Sequence, residues 1–73
     1  MMPRRGMVLV LTESEYKFGL GPLLCRVRHV IEPVLFDEVL WWHLAGECAH
    51  GTREHHSGWH DRELYVIDSA VDR

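Results

Sequence analysis

The sequence predicts an all-β chain, a small antiparallel barrel of four to five strands with a short 3-10 turn near its C-terminus. Three observations lead there. Residues 23–31 alternate apolar and charged side chains, with Leu23, Cys25 and Val27 on one face and Arg26 and Arg28 on the other. Short runs rich in Val, Leu, Ile and Tyr flank that stretch at residues 7–11 and 62–67. Gly19, Gly21, Pro22 and Pro33 punctuate the intervals, and no convincing helical stripe appears. Closing the sheet on itself lets so few strands avoid an exposed edge.

Taken in order, residues 1–6 read as a flexible N-terminus and residues 7–73 as a single domain. The run Met7-Val8-Leu9-Val10-Leu11 has no polar member, the mark of a strand buried on both faces or nearly so. Residues 16–22 form a loop in which Tyr16 and Phe18 alternate with Lys17, and Gly19 and Gly21 permit positive φ. The strand at 23–31 loses its period at Val30-Ile31, so a bulge or strand end is expected near His29, and Glu32-Pro33 closes it. Residues 34–38 are a short connection.

The next stretch, Val39-Leu40-Trp41-Trp42-His43-Leu44-Ala45, carries two of the three tryptophans side by side. Consecutive side chains of a strand point to opposite faces. One phase puts Leu40, Trp42 and Leu44 in the core and Trp41, His43 and Ala45 outside. The other reverses them. The first is preferred, because it buries the larger apolar set and leaves the histidine in water. A helix over residues 33–49 is the competing reading, since Leu35, Val39, Trp42 and Gly46 fall on one helical face and Pro33 suits a first turn. The strand is extended through Cys48 and Ala49, and the polar stretch beyond it reads as a long hairpin tip with Trp59 as its one large apolar residue. Leu64 and Val66 point inward from the last strand. Residues 68–71 read as the 3-10 turn, capped by Asp68 or Ser69.

At these residues the chain resembles the SH3-like barrels. Tyr16 and Phe18 stand where that family's loop aromatics lie, Trp41-Trp42 looks like its double tryptophan, and Ser69-Ala70-Val71 falls where its 3-10 turn falls. The resemblance spans residues 7–71 and implies the SH3-like barrel. The family's Pro and Tyr near the last turn are missing, so a proline-rich ligand is not implied. The Gly-Leu-Gly-Pro loop, the Trp strand ending in Leu-Ala-Gly and the terminal Leu-Tyr-Val also resemble small uncharacterised actinobacterial proteins, a likeness that implies no activity.

Seventy-three residues bury little surface, so a metal, a disulfide or association would add needed stability. The net charge of −3 argues against a dedicated nucleic-acid binder. Arg4, Arg5, Arg26 and Arg28 leave a weak accessory contact with phosphate as a third reading. No secretory signal is evident, and the apolar run at 7–11 is too short to cross a membrane, so a cytoplasmic chain with reduced Cys25 and Cys48 is expected. No nucleophile, phosphate-loop or paired-carboxylate motif is present, and a chain this short builds a deep pocket with difficulty, so no catalysis is expected.

Two site readings remain. The first is an aromatic face made by Tyr16, Phe18, Trp41 and Trp59, which binds another protein chain or a second copy of this one, without a cofactor. The second is a zinc-stabilised module in which Cys48, His50, His56 and His60 supply ligands across the hairpin 48–60. The spacing of those four matches no established zinc signature.

Overall fold

The structure, a computed structural model, describes residues 2–72. Four strands, β1 (Val8–Leu11), β2 (Leu23–Phe36), β3 (Val39–His50) and β4 (His60–Ile67), form one antiparallel sheet in the order β1-β2-β3-β4, curled into a half-barrel. A 3-10 turn at Glu13–Glu15 follows β1, and one α-helical turn, α1 (Asp68–Val71), follows β4. Met1 and Arg73, which the sequence reading placed in the N-terminal segment and the domain, lie outside the described residues.

The concave face carries the core. Leu9 and Leu11 from β1, Leu23, Cys25 and Val27 from β2, Trp42, Leu44 and Cys48 from β3, and Leu64 and Val66 from β4 alternate inward, and Tyr16, Ala70 and Val71 cap the open side. β1 departs from the expectation of burial on both faces. Val8 and Val10 are exposed, because β1 is an edge strand with one packed face. The chain before it is tied to the sheet: Pro3 is buried, and the Gly6 N–H donates to Val27 O at 2.7 Å.

β2 does not end at Pro33. It runs on to Phe36, with register shifts between Val27 and His29 and between Val30 and Glu32, where a bulge was expected. Beyond Arg26 it has no β1 residue opposite it, so Pro33, facing Trp42 across β3, lies where its missing N–H is tolerated. The connection to β3 shrinks to Asp37 and Glu38, both at positive φ (52° and 65°), with Phe36 paired to Val39. That is the two-residue geometry whose twist matches the flanking strands. β3 is a strand, not a helix, and Leu40, Trp42 and Leu44 face the core as preferred.

At Gly46, β3 passes close against β2. A Cβ built there would stand 2.5 Å from Arg26 O and 2.8 Å from Cys25 Sγ, so only glycine fits. The 3-10 turn expected at residues 68–71 is instead one turn of α-helix, and neither Asp68 nor Ser69 caps it; Ile67 is the N-cap residue. The Asp68 carboxylate is engaged elsewhere, accepting the Trp42 indole N–H at 2.8 Å.

The half-barrel has two edges, β1 and β4, and they are bridged by the loop after β1. Tyr16 pairs with Val66 in an isolated antiparallel bridge, and the Lys17 N–H donates to Tyr65 O at 3.0 Å. The loop that carries the aromatics is therefore the element that nearly closes the sheet.

Candidate interaction groove

Tyr16 sets this region from below. It is 3 % exposed and belongs to the core, so it is not the surface anchor that the sequence suggested. Its hydroxyl donates to Gly21 O at 2.8 Å and accepts the Leu20 N–H at 3.0 Å, which folds residues 16–21 into a compact turn. Gly19 passes so near Glu13 O that a Cβ there would overlap it. The Gly21 N–H donates to Glu13 Oε1 at 2.8 Å. These ties push Phe18 outward. It is 94 % exposed, at φ 57°. A left-handed backbone costs a residue with a Cβ about 1–2 kcal/mol. Such strain concentrates at functional positions.

The groove itself lies on the convex face. Lys17, Phe18, Val34, Phe36, Trp41 and Tyr65 line an apolar hollow of ≈ 330 Å³. Strand alternation puts Trp41 on that face, as expected, but Trp41 is not exposed. Like Trp42 it retains only 9 % of its surface. The cover is Lys17, whose ammonium stands 4.3 Å from the Trp41 ring centre and 4.1 Å from that of Phe36. Among the described residues this ammonium meets two ring faces rather than a carboxylate. The Trp41 indole N–H is buried and has no acceptor among the described residues.

His43, the next residue of β3, is also more covered than a histidine in water. Its ring stacks on Tyr65 at 4.4 Å, its Nε2 lies 3.0 Å from Glu63 Oε1, and its Nδ1 is buried with no partner among the described residues. Tyr65 thus joins the groove to His43 and Glu63. Neither Tyr65 nor Phe36 stood out in the sequence. In the sequence Tyr65 is one member of an apolar run, and Phe36 reads as part of a short connection.

Trp59 is not part of this groove. It precedes His60, which pairs with Cys48, whereas Trp41 pairs with Ile67. Seven residues of strand separate the two sites, about 23 Å at ~3.3 Å per residue. Trp59 packs under Arg26, with the guanidinium 5.0 Å from its ring, and edge-on to His56. Between the two ends the convex face is charged, with Arg26 paired to Glu47 at 3.4 Å and Arg28 to Asp61 at 2.8 Å. Those pairs already occupy two of the four arginines considered for phosphate.

The four residues considered for zinc do not converge. The Cys48 thiol is buried against Cys25 under the sheet. The His50 and His60 rings stack at 5.8 Å, and His56 Nδ1 lies 2.8 Å from Ser57 O. Among the described residues, no group of three or more His, Cys, Asp or Glu is placed to hold a metal. The hairpin geometry explains the failure: the bridge between Gly51 and His56 turns the tip back on itself. Among the described residues no helix is long and apolar enough to cross a membrane. No family model, no curated protein and no solved structure matches the chain.

Proposed function

We propose that this chain is a small non-catalytic interaction module that binds another protein chain through the groove between Phe18 and Tyr65. One observation carries the reading. Phe18, nearly fully exposed, is held in a strained conformation at the rim of an apolar groove, and the floor of that groove is an indole whose N–H has no acceptor among the described residues. An exposed aromatic beside a hollow is the usual form of an interface anchor. Phe36 and Val39, exposed cross-strand partners on the same face, continue the apolar surface onto the β2–β3 turn.

The groove also indicates the chemistry of its partner. A segment with one aromatic or branched apolar side chain would fill the hollow. An acidic group beside it would draw Lys17 off the rings, and a carbonyl could then accept the Trp41 N–H. A peptide library selected against the full chain, with Phe18→Ser/Phe36→Ser as counter-selection, tests this. Enriched peptides should combine an apolar anchor with Asp or Glu and should bind the double variant at least tenfold more weakly. Equal affinity for both proteins would refute it. Sedimentation over a range of concentrations distinguishes a second copy of the chain as the partner.

A further inference from the structure

The two cysteines of the chain are cross-strand partners in the centre of the sheet, Cys25 on β2 opposite Cys48 on β3, and both are fully buried. Their position in the ladder can be worked out. The Val27 N–H donates to Met7 O, so Val27 turns its backbone groups toward β1, and by alternation Cys25 does the same toward Leu9. On the β3 side, the Gly51 N–H donates to Pro22 O, which makes that position a hydrogen-bonded one. Counting inward through Leu23–His50 and Leu24–Ala49, Cys25–Cys48 is a non-hydrogen-bonded pair by both routes. Such pairs have Cα atoms about 4.5 Å apart, within the roughly 4.4–6.8 Å that a disulfide spans.

We propose that Cys25 and Cys48 are a thiol oxidation site, which a peroxide closes into a reversible cross-strand disulfide. The surroundings favour Cys48 as the attacking sulfur. The Cys25 S–H donates to it, which holds the Cys48 thiol below its ordinary pKa and pushes that of Cys25 up. Arg62, the partner of Gly46 across β4, adds a positive charge that lowers both. The missing side chain of Gly46 leaves Cys25 Sγ its place: a Cβ there would lie 2.8 Å from that sulfur.

The step balances with one equivalent of hydrogen peroxide. The Cys48 thiolate attacks a peroxide oxygen, the O–O bond breaks, and hydroxide leaves, giving a sulfenic acid on Cys48. The hydroxide takes the Cys25 proton. The Cys25 thiolate then attacks the Cys48 sulfur, the S–O bond breaks, and the second hydroxide leaves as water with the proton Cys48 first lost. Two thiols are oxidised by two electrons, and the peroxide is reduced to two waters. Burial makes the site selective for a small oxidant.

The full chain is treated with hydrogen peroxide at neutral pH and then examined by intact mass, non-reducing peptide mapping and thermal melting. The expected product is monomeric and about 2 Da lighter, links residues 25 and 48, and reverts with dithiothreitol. Its Tm should rise by on the order of 10 °C, because closing residues 25–48 constrains the unfolded chain. A bulky maleimide should label the native protein slowly and the denatured protein at both thiols. Two alkylatable thiols remaining after peroxide, a gain of about 32 Da from a sulfinic acid, disulfide-linked dimers alone, or an oxidised form that melts lower would each overturn the proposal.

Discussion

Trp41 and Trp42 are adjacent, equally buried and chemically identical, yet their indole N–H groups have opposite fates. That of Trp42 donates to Asp68 and pins α1 onto β3; that of Trp41 is buried and meets no acceptor among the described residues. A hydrogen bond to a charged group contributes about 1.5–3 kcal/mol, and a buried orphan donor costs a comparable amount. The same substitution should therefore act differently at the two sites. Trp42→Phe should lower stability by about 2–3 kcal/mol, from the lost bond and the smaller ring. Trp41→Phe removes an unsatisfied donor along with apolar contact, and its net cost should be less than about 1 kcal/mol. Urea unfolding of both variants checks this, and equal losses would mean that the Trp41 N–H is satisfied in solution. Alternation separates the two rings, and the larger apolar set of Leu40, Trp42 and Leu44 selects the phase that the structure shows. The sequence could not reveal that both are buried, because the cover on Trp41 is Lys17, from a loop joined to β4 only in three dimensions.

The β2–β3 hairpin is the element that positions most of the groove, and the sequence understated its length. Pro33 reads as a terminator, but it falls where β2 has a neighbour on one side only. The turn was hidden for another reason. Asp37-Glu38 lacks the Asn-Gly or Asp-Gly signal that marks a two-residue hairpin loop, although both residues adopt the positive φ such a loop requires. Glu38 gains nothing from a Cβ at φ 65°. Glu38→Gly should therefore relieve left-handed strain and stabilise the chain by about 1 kcal/mol, after allowing for the greater freedom glycine has when unfolded. The urea midpoint should rise with an unchanged m-value. A fall would show that the turn in solution is not the left-handed pair. By contrast the alternating stretches at residues 25–28 and 63–66 are legible, since the period of two directly encodes one buried face.

At the scale of the whole molecule, the half-barrel is held shut by a contact that no local pattern encodes. Tyr16 stands out in the sequence as a loop aromatic, but composition does not distinguish a surface anchor from a plug. The structure places its ring in the core, its backbone against Val66 and its hydroxyl under Leu20 and Gly21. The same residue thus joins the β4 edge to the β1 side and shapes the turn that presents Lys17 and Phe18. Tyr16→Phe separates those two roles, since it keeps the ring and removes both hydroxyl bonds. The ring should keep the sheet closed, so global stability should fall by only about 1 kcal/mol, the net value of an ordinary hydrogen bond. The turn at residues 16–21 should open locally instead. Amide exchange at Leu20 should then quicken by at least about tenfold. Core amides such as Leu44 should change only by the global amount. If Leu20 and Leu44 respond equally, the loop and the sheet open as one cooperative unit, and the groove is as rigid as the core beneath it.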